Sequence, residues 1–465
     1  MLLGLGVVLR KSKPKVIKFV LASLALSGTS AAVAAVRPGA GVVRVATDAT
    51  LDSGAQHASA VEPDAAADGS TVVTVFQSGR FFDGGASAIG FAVSRDRGRT
   101  WRSGLLPSLT AASNPPGPYA RASDPVVAWD ALHARWLAAT LALGASSTAI
   151  SISTSSDGST WSAPGAATVA NRTGDGSTNL DKEWLTCDNG RASPLFGRCY
   201  VIYSDFRRGG MAFQSSSDGG VTWTAPVTIR GGGDVPGPQL AVRPNGELVI
   251  VFLGEDSVQA VHSTDGGVTF GAPGTIASLD ARDHPFRRES LRVFPLPSVD
   301  ADAAGTVYAI WFDCRFRPSC RADDAVLARS SAGSAWTRPQ RIALVPRTST
   351  TDVVVPSLGV DPNTRGRLTL TYYTLARAGC APAACRLNAW QTTSRTGGSR
   401  WSPPRRLNAT QMRLGWLPAT SSGRMVGDYF GSVSTGGRAV SVFSLARAPR
   451  AGRFDQAIHA LSVAG

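Results

Sequence analysis

Three stretches of this chain carry one spelling: Ser94-x-Asp96-x-Gly98-x-Thr100-Trp101, Ser216-x-Asp218-x-Gly220-x-Thr222-Trp223 and Ser263-x-Asp265-x-Gly267-x-Thr269-Phe270. Looser copies run from Thr154 through Asp157 to Trp161, from Ser330 to Trp336 and from Ser394 to Trp401, which makes six. Recurrence on this scale demands a fold of like units, each packed on its neighbours. It also frees a 465-residue chain from the limit of roughly 250 to 300 residues on a single core. The spelling is turn chemistry: the carboxylate accepts backbone N–H groups, glycine supplies a positive φ, and the aromatic ring packs between sheets. Asp96, Asp157, Asp218 and Asp265 are therefore read as structural acids, not as catalysts.

Between the copies a second pattern recurs: an apolar strand, a turn containing Asp, Pro or Gly, and another strand. Examples are residues 124–130 before Arg135, residues 240–246 before Glu247 and residues 357–362 before Arg367. These pairs start near Glu62, Asp124, Asp181, Pro238, Pro297, Pro356 and Asp428, which predicts seven repeats. The last repeat has three strands and no copy of the eight-residue spelling, while residues 41–46 stand alone as one strand near the beginning. Adding that strand to the final repeat would remove an exposed edge. With Gly 50, Pro 28, only 17% charged residues and no long amphipathic helix, the expectation is an all-β β-propeller of seven blades.

The six segments resemble the Asp box, or bacterial neuraminidase repeat, of the sialidase superfamily, and the resemblance extends over most of the chain beyond residue 35. It implies boxes between the third and fourth strands of propeller blades, at the periphery. Sialidases of this kind have six blades, so a six-bladed ring with an extra hairpin is the alternative count. The resemblance also implies retaining exo-sialidase chemistry: a Tyr nucleophile supported by Glu, an Asp acid/base and three Arg gripping the substrate carboxylate.

Of the five glutamates, Glu62, Glu183, Glu247, Glu255 and Glu289, Glu247 and Glu255 fall at hairpin turns, and Glu183 and Glu289 are taken as the partners for such a tyrosine. Tyr429, in Gly427-Asp428-Tyr429-Phe430-Gly431, opens an inner strand late in the chain, as Glu183 does in the third repeat. The catalytic candidates are thus Tyr429, Glu183 and Asp124. Substrate-binding candidates are Arg121, Arg292, Arg424 and Asp428, with Arg287 and Arg288 in reserve. No Arg-x-Pro element occurs on the first strand, where the family has its first arginine. The plainer reading is that polar residues at these strand starts satisfy backbone groups around a wet channel. Asp205-Phe206-Arg207 and Asp313-Cys314-Arg315, each following an apolar strand, are expected to form ion pairs between repeats.

Arg10, Lys11, Lys13, Lys15 and Lys18 precede an apolar run at residues 19–26 and the small-residue sequence Ala32-Val33-Ala34, the layout of a secretory signal peptide. The expected organisation is a signal at 1–35 and one propeller domain at 36–465, secreted and without a membrane span. The net charge of +14 includes those five positive residues; the other basic residues are scattered, which argues against nucleic acid and leaves attraction to acidic glycans open. Six cysteines fall in close pairs, Cys187 and Cys199, Cys314 and Cys320, Cys380 and Cys385. An exported chain with an even count favours local disulfides, and no C-x-x-C spacing or nearby His supports zinc. Asp300-Ala301-Asp302 lacks the ligand series of a calcium loop, so no metal and no cofactor is expected. Two functions follow: a sialidase-like glycoside hydrolase, or a non-catalytic propeller that binds glycans or proteins.

Overall fold

The computed structural model describes residues 37, 39–171, 179–232, 237–279, 291–377, 380–381 and 383–465. The predicted signal peptide lies outside them, as do Glu289, Arg287 and Arg288. The described chain is almost wholly β-structure, with 3₁₀ turns only at Pro318–Cys320 and Leu414–Trp416 among its named elements. No helix among the described residues is long and apolar enough to cross a membrane.

The strands of the described residues form seven antiparallel meanders, here called sheets 1 to 7. Their first strands are Gln56–Asp68, Arg121–Asp130, Leu180–Cys187, Gln239–Val242, Ser298–Ala301, Asp352–Val360 and Gly431–Thr435. Each first strand packs on the next, and that of sheet 7 packs on that of sheet 1. Sheet 7 receives its outer strand from the other end of the chain: Val43–Thr47 pairs antiparallel with Arg453–Ala464, through Val43 opposite Ala460 and Thr47 opposite Ala457.

Stacking of sheet on sheet explains the sequence pattern. A second strand is covered on both faces, so Val307–Asp313 and Leu368–Leu375 are buried at every position and read as continuous apolar runs. Fourth strands face outward; Arg102–Leu105 has no buried residue. Cores form between neighbours, as where Val249 and Val251 of sheet 4 meet Trp311 and Val326 of sheet 5. The six turn segments lock the stack from the rim. A Cβ on Gly158 would come within 2.5 Å of Val73, on Gly220 within 2.5 Å of Leu137, and on Gly267 within 2.0 Å of Phe213. Each of these glycines thus lies against the preceding sheet, and Gly98 of sheet 1 lies against Val440 of sheet 7.

First strands splay too far apart for a regular ladder, so side chains satisfy the inward backbone groups. Asp64 accepts Val127 N–H at 2.9 Å, Gln239 accepts Val299 N–H at 3.1 Å, and Asp300 accepts Val360 N–H at 3.0 Å. Asp302 accepts the amides of Ala304, Thr306 and Gly366. Asp300 and Asp302 are therefore backbone acceptors, and no metal-ligand cluster occurs among the described residues.

The cysteines pair locally: Cys187–Cys199 across the first two strands of sheet 3, Cys314–Cys320 in sheet 5 and Cys380–Cys385 in sheet 6. The Asp-Arg echoes do not bridge sheets as expected. Asp205 binds Arg208 three residues on, and Asp313 binds Arg315 two residues on, because the turn after each strand brings the guanidinium back onto its own carboxylate.

Candidate functional site

Four first strands share a register shift at an equivalent place, between Val61 and Asp64, Ser123 and Val126, Asp181 and Trp184, and Val354 and Ser357; the first of them shifts once more, between Gln56 and Ala60. The bulged residue adopts a left-handed conformation, φ 51° at Glu62, 49° at Asp124, 41° at Lys182 and 47° at Val355. A bulge breaks the alternation of faces and re-aims a side chain. Holding a non-glycine residue this way costs on the order of 1 to 3 kcal/mol, so the surrounding sheets must enforce it. Proline follows at Pro63, Pro125 and Pro356, where the lost ladder position needs no N–H.

The bulges of sheets 1 to 3 deliver Glu62, Asp124 and Lys182 to a cleft of about 470 Å³ over the N-terminal ends of the first strands. Asp181, Asp428, Arg80, Arg121 and Arg292 also line it. The fourth bulge, in sheet 6, carries Val355, which is buried in an apolar cluster.

Glu62 is buried, accepts the backbone N–H of Asp428 at 3.2 Å, and receives a hydrogen bond from the Gln77 amide. The same amide reaches Ser123 Oγ at 3.1 Å, and Gln77 Oε1 accepts from Arg80 at 2.9 Å, so Gln77 ties the acid to the cation. Burial, then repulsion by Asp124 and Asp428, lifts Glu62 to about 8 against the pull of Arg80 and Arg292. Burial and the charge of Asp124 likewise lift Asp181 to about 7. Asp428 is gripped by Arg292 through Nε at 3.0 Å and Nη2 at 2.6 Å, a forked charge-assisted contact. Asp124 is only half-buried and makes no hydrogen bond or ion pair among the described residues.

The other expected site residues divide. Arg121 lines the cleft but holds its wall, donating to Asp83 at 2.6 Å and to the Gly84 carbonyl at 3.1 Å while stacking 3.9 Å from the centre of the Phe81 ring. Arg424 turns aside and donates to the Leu417 carbonyl at 2.8 Å. Tyr429 lies below the cleft, buried, its hydroxyl donating to the Pro125 carbonyl at 3.0 Å and its ring 3.9 Å from Lys182 Nζ. Burial, with repulsion from Glu62 and Asp124, drives its hydroxyl well above the usual value, opposite to what a phenolate nucleophile needs. Glu183 is wholly buried, neither oxygen has a hydrogen-bond partner among the described residues, and burial raises it well above the carboxylate range.

Sequence reasoning passed over Glu62, Arg80, Asp181 and Lys182. A signal existed for one of them: Glu62-Pro63, like Asp124-Pro125, is an acid-proline pair inside an otherwise apolar strand, where proline marks a bulge. Arg80 closes an ordinary second strand and carries no such mark.

The eight-residue segments have the geometry of turns. Asp218 accepts from Ser216 Oγ at 2.8 Å, Val221 N at 3.0 Å, Thr222 N at 3.0 Å and Thr222 Oγ at 2.6 Å. Asp96, Asp157 and Asp265 accept in the same manner. Slight burial works to raise these acids, but the hydrogen bonds outweigh it and bring Asp96, Asp218 and Asp265 to about 2, with Asp157 lower still.

No protein-family model matches the chain, and no curated protein matches it. Among solved structures it is similar to an ulvan lyase described as a new family of polysaccharide lyase, at 10% identity over 90% of this chain and 95% of the other, TM-score 0.47. It is also similar to the α-L-arabinofuranosidase of Fusarium graminearum solved with arabinobiose, at 15% identity over 71% and 93%, TM-score 0.45. A leech intramolecular trans-sialidase follows at 12% identity over 79% and 69%, TM-score 0.45. No function is carried to this chain from likeness at that level.

Proposed function

We propose that this chain is a secreted, seven-bladed propeller of the sialidase-superfamily type that hydrolyses glycans at the carboxylate-lined cleft. The seven meanders, the cycle of first-strand contacts and the outer strand lent to sheet 7 by Val43–Thr47 support the blade count. The Asp-box resemblance, with each segment following a third strand, supports the family reading. Three disulfides and a signal-like leader support secretion.

One observation carries the chemistry: Glu62, Asp124 and Asp181 from three sheets and Asp428 from the segment before sheet 7 share one cleft, in which burial raises the proton affinity of Glu62 and of Asp181. Glycoside cleavage needs one carboxyl that keeps a proton near neutrality for the leaving oxygen and a second that acts as base or nucleophile. Glu62, held protonated by burial and aimed by Gln77, takes the first role. Asp124, half-exposed and without a hydrogen-bond or ion-pair partner among the described residues, takes the second. Lys182, which forms no ion pair among the described residues, supplies the positive charge that favours an acidic sugar, which makes a sialoside the first substrate to try.

The test is turnover of fluorogenic sialosides, uronides and neutral glycosides by the disulfide-bonded protein and by Glu62→Gln, Asp124→Asn and Tyr429→Phe. Turnover lost in the two carboxyl variants and kept in Tyr429→Phe supports the assignment. Turnover lost only in Tyr429→Phe restores the tyrosine nucleophile of the sialidase scheme. A binding propeller without catalysis is the second reading, favoured because Arg80, Arg121 and Arg292 are already engaged by Gln77, Asp83 and Asp428. It predicts saturable glycan binding with no turnover of any of these substrates.

A further inference from the structure

Every arginine of the cleft has a carboxylate near it. At the opposite ends of the strands, between sheets 5 and 6, a pocket of about 360 Å³ differs: Arg329, Arg365 and Arg395 line it, and no acid does. We propose that this pocket is a binding site for a sulfate-type oxyanion, independent of the cleft and of any catalysis there.

Two glycines make the room. Gly366 ends the turn before the second strand of sheet 6 with φ 67°, and a Cβ on it would stand 2.9 Å from the backbone nitrogen of Gly397. A Cβ on Gly397 would lie 3.1 Å from Tyr308 Oη and 3.4 Å from Arg329 Nη1, in the floor of the pocket. With both side chains absent, Gly397 N–H bonds to the Gly366 carbonyl at 2.9 Å, and the hairpin of sheet 6 is drawn against its own turn segment. That contact fixes the spacing between Arg365 on the hairpin and Arg395 on the segment.

Neither Arg329 nor Arg365 forms an ion pair among the described residues. Arg329 donates to the Gly397 carbonyl at 3.0 Å, a contact that orients its planar head without neutralising it, and Arg395 donates to a main-chain oxygen of Gly465, the last residue of the sequence. Arg365 is exposed and has no hydrogen-bond partner among the described residues. Asp302, the acid behind this wall, is spent on three backbone amides and on the Tyr308 hydroxyl. Arg329 and Arg365, two forked donors on one void with no carboxylate partner among the described residues, and Arg395 beside them suit a tetrahedral oxyanion, which accepts paired N–H groups from several directions. The anion is a sulfate ester on a saccharide chain or free inorganic sulfate; the contacts are the same.

Isothermal titration of the full disulfide-bonded protein with sodium sulfate and with a chondroitin sulfate tetrasaccharide tests the site in low-salt buffer. Arg365→Ala removes an exposed side chain and is expected to weaken both ligands roughly tenfold, the loss of one charge-assisted pair. Arg365→Lys, which keeps charge without the fork, recovers part of the loss, and Arg99→Ala, an exposed arginine elsewhere, changes nothing. Binding of the tetrasaccharide tighter than that of inorganic sulfate assigns the pocket to a polymer, and equal binding assigns it to the free ion; both uphold the site. Failure of both ligands to bind, or equal losses in Arg365→Ala and Arg99→Ala, overturns it, and neither result bears on glycan turnover at the cleft.

Discussion

The acids of the cleft and the acids of the turn segments are the same functional group in opposite states. Asp96, Asp218 and Asp265 are fed by hydroxyls and backbone amides within their own turn and stay ionised down to about pH 2. Glu62 and Asp181 sit among other carboxylates in a buried wall and hold a proton to about pH 8 and pH 7. Donors stabilise the charged form and burial the neutral one, and the environment alone decides which wins. The difference separates residues that hold the fold from residues equipped to move a proton.

The sharpest way to break this contrast is Glu62→Gln. It keeps an acceptor for Asp428 N–H but removes the proton donor, and the expected loss in kcat/KM is roughly 10²- to 10⁴-fold, read in steady-state assays on whichever glycoside is turned over. A comparable loss in a turn-segment variant, at equal folded fraction, would erase the distinction.

The two groups also oppose each other in the dependence of stability on pH. A turn-segment Asp has a folded value below its unfolded value near 3.8, so its contribution is complete above pH 4 and is lost as pH falls toward 2. Glu62 has a folded value above its unfolded value of 4.5, so the folded state binds the extra proton and stability declines as pH rises from 4.5 to 8. Denaturant unfolding across that range should show a rise, a maximum near pH 4 to 5 and a decline. Glu62→Gln should flatten the decline and leave the acid limb untouched.

Smaller again is Asp218→Ala. It removes an acceptor for two amides and two hydroxyls in a partly exposed turn, for an expected loss of about 1 to 2 kcal/mol in unfolding free energy, with kcat/KM unchanged in the folded fraction. Gly267→Ala, by contrast, forces a Cβ onto the Phe213 ring at φ 86° and should cost more than Asp218→Ala.

The repeat that made the fold legible is what hid the site. Turn chemistry and continuous apolar runs are local, so Ser-x-Asp-x-Gly-x-Thr-Trp and strands such as Val307–Asp313 announced the meanders, and the orphan strand before residue 47 announced the pairing that ends the chain. Which acid faces the cleft depends on a one-residue register shift, and a shift of one reverses every side chain beyond it. Counting from the strand start gave Glu183, one place past the bulge at Lys182, where the carboxylate is buried rather than in the cleft wall. Arg121 and Arg292 were found as cations, but that their charges are taken up by Asp83 and Asp428 depends on residues far apart in sequence.

Tyr429→Phe should have the smallest effect and sharpens the contrast most. The phenol donates one hydrogen bond to a buried carbonyl, and its environment opposes ionisation, so its placement is that of a packed side chain holding the cleft floor. Loss of that bond leaves the Pro125 carbonyl short of a donor and should cost about 1 kcal/mol of stability. The edge contact with Trp184, ring centres 5.8 Å apart, and the Lys182 ammonium over the ring both survive in phenylalanine. Turnover should therefore stay within about threefold of the parent protein, the scatter of a substitution that perturbs packing without touching the reacting groups. A loss approaching that of Glu62→Gln would mean that the tyrosine is drawn into the chemistry when substrate binds, and would move the proton-holding role of Glu62 from leaving-group acid to base for the phenol.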